Sequence, residues 1–291
     1  MTDDRFAAFR DLHHADRPLL LPNAWDHASA AALAARGFAA IGTTSLGVAA
    51  AAGLPDAEGA TRDRTLALAR RLVRLPALIT VDIEGGFAER PDEVAASAAG
   101  LADAGVVGVN IEDGRPDGSL APQDHQCAVI AAVKERAPRL FVNARTDTYW
   151  LKSADAESET LRRTEAYERA GADGIFVPGL QDPDGIRALV SRTPLPLNVL
   201  FAPGRQRYEE LAALGVRRIS TGSLLFRASL HGAVELARGI VHPSEPAAEI
   251  PSYAEAAALA AAFADPPLND PSGAAPFPDA PPPAPPAGQL C

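Results

Sequence analysis

The sequence predicts a closed (β/α)8 barrel of the TIM type, with a C-terminal helical extension and a disordered Pro/Ala-rich tail. Eight short apolar runs rich in β-branched residues recur along it: LLLP (19–22), AAIGTTS (39–45), ALITVDIE (77–84), VVGVNIE (106–112), LFVNAR (140–145), GIFVP (174–178), LPLNVL (195–200) and RRISTG (217–222). Segments of helical period separate them, among them DEVAASAAGLADAG (92–105) and DGIRALVSR (184–192). Repeated strand–helix units imply parallel strands, and eight of them within 291 residues suit a barrel. The rival, an open doubly wound sheet, places a glycine-rich phosphate turn after its first strand. Here that strand is followed by NAWDHAS.

Residues 1–264 are expected to form this one barrel domain, ending in a helix within SYAEAAALAAAFA (252–264). Residues 265–291 are dominated by Pro, Ala and Gly. Such a composition cannot bury a core, so a disordered tail is expected. The chain is 47% hydrophobic and carries a net charge of -10, from 27 Lys plus Arg against 37 Asp plus Glu. That charge repels phosphate backbones, which argues against nucleic acid as a partner, and it favours cations. No apolar run reaches the length of a membrane span, and MTDDRFAAFRDLHH has no leader pattern. Two cysteines, Cys127 and Cys291, make no disulfide framework, so a reducing cytoplasm is expected.

VDIEGG (81–86) returns as VNIEDG (109–114). Barrel active sites lie at the carboxyl ends of the strands, and residues two apart on a strand share a face. Asp82 with Glu84, and Asn110 with Glu112, are therefore expected to converge at one rim, where a hard divalent cation relieves the repulsion. Solvated loop acids are the plainer alternative. Thr43, Thr44, Ser45 and Gly47 end the second run with short donors able to hold a carboxylate. Asn143 and Arg145 share a face of the fifth. Arg145 is placed either to grip a carboxylate or oxyanion or to form a structural ion pair with Asp147 or Glu112. Asn198 is either a satisfied core amide or a ligand.

Taken in order, LPNAWDHASA, IGTTSLGVAAAAGLPD, TVDIEGGF, GVNIEDG, NARTD and GADGIFVPG resemble the isocitrate lyase/phosphoenolpyruvate mutase superfamily over residues 15–225. The resemblance implies an α/β barrel, Mg2+ with Mn2+ as an alternative, and a small α-keto or α-hydroxy carboxylate substrate. It implies cleavage or formation of a C–C or P–C bond through an enolpyruvate-like oxyanion, and a homo-oligomer, dimer or tetramer. By motif match, Asp82 resembles the direct metal ligand, and Asp56, Glu84 and Glu112 the holders of metal-bound water. Ser45 with the Leu46 and Gly47 backbone resembles the carboxylate cradle, Arg145 the residue that steadies carboxylate and enolate oxygen, and Asn198 the substrate-facing position of the seventh strand.

The sequence departs from the isocitrate and methylisocitrate lyases at two places. Their Cys-bearing loop after the fourth strand is here GRPDGSLAPQDHQ, without Cys or Lys, and Pro178 stands where they carry Glu. His125 is either an acid on this loop or a surface histidine. The leading expectation is thus a Mg2+-dependent lyase or decarboxylase with a different lid. A phosphonomutase or phosphonopyruvate hydrolase is the alternative within the superfamily. A catalytically silent keto-acid-binding barrel is the alternative outside enzymology, though it has no need of Asp56, Asp82, Glu84, Glu112 and Arg145 together.

Overall fold

A computed structural model of the chain describes residues 4–241 and 250–263. Among the described residues nine parallel strands form one sheet: β1 (Leu19–Leu21), β2 (Asn23–Ala24), β3 (Ala40–Thr43), β4 (Leu78–Asp82), β5 (Gly108–Glu112), β6 (Phe141–Arg145), β7 (Gly174–Phe176), β8 (Leu197–Leu200) and β9 (Arg218–Ser220). The ninth strand arises because the first run is split. Pro22 has no N–H to give to a ladder, and the chain changes neighbour there. Leu19–Leu21 pairs with Arg218–Ser220, whereas Asn23–Ala24 pairs with Gly42–Thr43. β1 and β2 together act as one barrel stave, and they close the sheet into the expected eight-stave barrel.

The alternation of side chains decides where the core sits. Ile79, Val81, Val109, Ile111, Val142 and Ala144 face outward and are fully buried against the helix layer, beside Val94, Ala98, Ile130 and Val133. The inward positions of the same strands carry Thr80, Asp82, Asn110, Glu112, Asn143 and Arg145. The apolar core is therefore a sleeve around a polar lumen. Helix Arg5–Leu12 closes the amino end of the barrel, packing Phe9 on Leu19, Leu21, Ala40 and Phe141.

Helix Leu224–Val241 leaves Leu230, Val234, Ile240 and Val241 exposed. After helix Tyr253–Ala258, the 3-10 turn Leu259–Phe263 returns to helix His27–Ala35. There Phe263 is buried, edge-on to His27 at 5.2 Å and beneath the Arg71 guanidinium at 5.8 Å. The 3-10 turn thus docks on the barrel, while helix Tyr253–Ala258 buries none of its residues. The expected tail, 265–291, lies outside the described residues.

Candidate active site at the carboxyl rim

The two acidic repeats lie side by side in register, Val81 opposite Val109 and Asp82 opposite Asn110. They diverge after that. β4 ends at Asp82, and Glu84 takes a left-handed φ of 53°, uncommon for a residue with a side chain. The expectation that Asp82 and Glu84 share a face therefore does not hold: the strand alternation has ended. Glu84 instead reaches the loop before helix Arg62–Leu72, accepting from Thr61 Oγ1 at 2.6 Å and from the Gly59 N–H at 2.8 Å. Its own carbonyl accepts from the Glu112 N–H at 3.0 Å, tying the two rim segments together.

Asp82 is lightly engaged. Its carboxylate accepts one backbone N–H, from Glu84 at 3.2 Å, and its own N–H is fixed by Thr43 Oγ1 at 2.9 Å. Asp56, in the loop between helices Ser45–Ala51 and Arg62–Leu72, has a buried Oδ1 without a partner among the described residues. Glu112 is committed to Arg145, Oε2 lying 2.6 Å from Nη1. Arg145 also donates through Nε to Asp147 at 2.7 Å, and its guanidinium lies 5.7 Å from the Phe176 ring centroid. Both ion pairs that the sequence offered for Arg145 are therefore formed.

Burial pushes the Asp82 carboxyl up to about 6, with Arg145 opposing and Asp56 and Glu84 adding. Burial also drives Glu112 up to about 8, against Arg145 and with Asp82, Asp147 and Asp56. Burial draws the Arg145 guanidinium down, but Glu112, Asp147 and Asp82 outweigh it and raise it overall. This rim is an anionic cluster short of positive charge.

That shortage suits a cation. Among the described residues no three His, Cys, Asp or Glu side chains converge closely enough to chelate one directly. One direct carboxylate with waters completing the shell is a common mode for Mg2+, and Asp82 and Asp56 hold the uncommitted oxygens it needs. Glu84 and Glu112 already spend oxygens on protein donors.

Ser45 and Gly47 lie in the first turn of helix Ser45–Ala51, after Thr44. The N–H groups of Ser45, Leu46 and Gly47 have no intrahelical acceptor, and Thr44 provides no side-chain cap. A Cβ on Gly47 would lie 2.8 Å from both Thr44 Cγ2 and Trp25 Cβ, so the turn needs glycine. Asn198 is enclosed in the lumen, and neither of its side-chain polar atoms is hydrogen-bonded. The satisfied-amide alternative is not what the structure shows.

Sequence reasoning missed the support beneath the loop after β5. Asp113 is fully buried and accepts from Tyr167 Oη at 2.6 Å, Arg163 Nη1 at 3.0 Å and the Asp147 N–H at 2.8 Å. Arg163 also donates to the Ala121 carbonyl at 3.0 Å, and Gly114 bridges to Leu120, so the loop is a clamped hairpin. The only hint was Asp113 itself in the second acidic repeat, because its partners lie on a distant helix. A cavity of about 360 Å³ opens beside the hairpin, walled by Glu84, Glu112, Arg115, His125 and Gln126 among others. His125 is half-buried in that wall. Asp82 and Arg145 do not line it, so it flanks the rim rather than forming its floor.

Fold and site together define a (β/α)8-barrel enzyme with a carboxylate-rimmed centre. The chain belongs to the phosphoenolpyruvate phosphomutase family, whose model matches residues 9–241, and is an enzyme of the isocitrate lyase/phosphoenolpyruvate mutase superfamily. An uncharacterised protein of Mycobacterium tuberculosis is 44% identical over 248 residues, 85% of this chain and 94% of its own. The 2-methylisocitrate lyase of Bacillus subtilis is 35% identical over 198 residues, 65% of this chain and 64% of its own. The oxaloacetate decarboxylase of Pseudomonas entomophila is 31% identical over 189 residues, 60% and 63%. A crystal structure of a candidate phosphonomutase from Burkholderia cenocepacia J2315 superposes with a TM-score of 0.76 at 40% identity, over 81% of this chain and all of that one. Phosphonopyruvate hydrolase bound to oxalate and Mg2+ shares the fold, with a TM-score of 0.77 at 24% identity over 88% and 95%.

Proposed function

We propose that the chain is a Mg2+-dependent lyase of decarboxylase type, with Mn2+ able to substitute. It cleaves a carbon–carbon bond next to a small α-keto or α-hydroxy carboxylate through an enolpyruvate-like oxyanion. The observation that carries this reading is the under-committed Asp82 carboxylate beside Arg145 in a buried, net-acidic rim. When bound, the cation supplies charge neutralisation and polarisation of the substrate's keto oxygen. Asp82 would hold it directly, and Asp56, Glu84 and Glu112 through water. The free N–H groups of Ser45, Leu46 and Gly47 receive the substrate carboxylate at a helix start. Arg145, fixed between Glu112 and Asp147, presents its remaining donor to the developing enolate oxygen. Asn198 would complete the substrate side of the seventh barrel stave.

The clamped hairpin contains no Cys or Lys. A positioned proton donor contributes roughly a hundred- to ten-thousandfold, so isocitrate and 2-methylisocitrate are not expected as useful substrates. A phosphonomutase or phosphonopyruvate hydrolase is the second reading, favoured by the Burkholderia structure. The test is incubation with Mg2+ and a panel of oxaloacetate, isocitrates, phosphonopyruvate and alkyl-malates, following pyruvate and phosphate. Pyruvate without phosphate from a carbon acid supports the first reading, and phosphate release supports the second. Silence across the panel in metal-loaded protein refutes both.

A homo-oligomer is part of the same reading, supported by the exposed apolar face of helix Leu224–Val241. So is a cytoplasmic setting, supported by cysteine usage; among the described residues no helix is long and apolar enough to cross a membrane.

A further inference from the structure

Arg218, at the start of β9, has no exposed surface and is the largest fully enclosed side chain. A lateral row of Cα partners leads to it from the rim. Glu112 lies opposite Arg145, Arg145 opposite Phe176, Phe176 opposite Asn198, and Asn198 opposite Arg218. Barrel strands are staggered, so this row starts at the rim on β5 and ends inside the lumen on β9.

The Arg218 side chain then crosses back. Its Nη2 donates to Asn110 Oδ1 at 3.1 Å, and the same oxygen accepts from Asn143 Nδ2 at 2.9 Å. Its Nε and Nη1 have no partner among the described residues. Below it the surroundings are neutral. His13 lies with Nδ1 2.8 Å from the Phe9 carbonyl oxygen, its ring stacked on Phe141 at 4.3 Å, and burial draws its imidazole down to about 3. Burial draws Arg218 down only to about 9, with Asp82 opposing, so it stays charged at neutral pH. An enclosed guanidinium with two idle donors is costly, and an apolar residue would fill the lumen without that cost. The acid it faces, Asp82, lies above it.

We propose that Arg218 is a positioning residue, the internal counterion of the acidic rim, which holds the Asn110–Asn143 amides and weakens cation binding while strengthening anion binding above them. Without metal it offsets the charge of Asp82. With metal it becomes a like charge opposed to the ion, and with a dianion in place it is again a favourable one. This rests on the metal site proposed above.

The test uses the full chain stripped with a chelator, and the variants Arg218→Gln and Arg218→Lys. Calorimetry with Mg2+ and Mn2+ gives the cation affinity, oxalate titration of the Mn2+-loaded protein gives the anion affinity, and melting is followed with and without metal. Arg218→Gln is expected to bind the cation roughly tenfold more tightly and oxalate more weakly, the signs Coulomb's law requires. It should lose stability when stripped and recover most of it with metal. Arg218→Lys, which keeps the charge, should stay within about threefold of the parent for both ligands. Unchanged cation affinity in a folded Arg218→Gln, or a chain that stays unfolded even at saturating metal, would overturn the proposal. A parent chain that binds neither ion would overturn the metal reading itself, and this inference with it.

Discussion

Arg145 is where the residue scale is most exposed to test. It is enclosed by Glu112 and Asp147, so it serves stability as well as chemistry. Arg145→Ala should cost about 3–5 kcal/mol, as expected when one partner of a buried pair is removed. Arg145→Lys keeps a charge but loses the fork. Its turnover should fall about a hundredfold, the scale of one lost oxyanion donor, with a much smaller loss of melting temperature. Turnover per folded molecule that survives in Arg145→Lys would make the residue structural only. Gly47→Ala is a second case. Its methyl would press on Thr44 and Trp25, and overpacking of this kind costs about 1–3 kcal/mol. Carboxylate affinity should drop along with stability, and oxalate titration checks it. Arg145 and Asp82 were readable from strand ends and spacing. Glu84's turn was not, because a run of β-formers does not say where the strand stops.

At the scale of elements, the hairpin after β5 depends on a buried triad. Tyr167→Phe removes the hydrogen bond to Asp113 and the one accepted from Arg163, and should cost about 1–3 kcal/mol. Asp113→Asn leaves Arg163 with Glu159 as its remaining counter-charge and should cost about 1–3 kcal/mol, and the hairpin should gain protease sensitivity between Gly114 and Leu120. An unchanged digestion pattern would show that the loop stands without the clamp. All eight apolar runs carry strands, because parallel barrel staves are short and hydrophobic on their outer face. The split of the first stave escaped notice, since Asn23–Ala24 has no strand signature and is placed only by its neighbour β3. The clamp was illegible for a different reason: its members are 50 and 54 residues apart, and only the fold joins them.

The whole molecule should answer to pH through the rim. Glu112 is raised from an ordinary 4.5 to about 8, and Asp82 from 3.8 to about 6. Between those values the folded chain holds protons that the unfolded chain has released. By linkage, the stability these groups confer is full below about 4 and is lost as pH rises to 8. The metal-free protein should therefore melt higher at pH 6 than at pH 8.5, and Mg2+ should bind more tightly at the higher pH, releasing protons as it does. Metal-free melting that climbs steadily over this range would contradict the burial of both carboxyls. The proposed homo-oligomer is tested on helix Leu224–Val241: Leu230→Glu with Val234→Glu, both exposed here, should reduce the light-scattering mass to that of one chain while melting of the barrel changes little, and a parent chain that already scatters as one chain would refute the oligomer. Removal of residues 266–291 should leave mass and melting temperature unaltered, as their composition predicts.

The split at Pro22 also bears on how the chain is made. Asn23 and Ala24 can pair with β3 as soon as residue 43 has left the ribosome, but the backbone of Leu19–Leu21 must wait for Arg218–Ser220. Until about three-quarters of the polypeptide exists, every nascent form is an open sheet with β1 unpaired and bare edges at β2 and at its newest strand. Unprotected edges recruit other chains, and late, long-range closure is slow. Translation stalled before residue 217 should leave a product that aggregates or stays chaperone-bound, whereas stalling after the last stave has cleared the exit tunnel should release a soluble barrel.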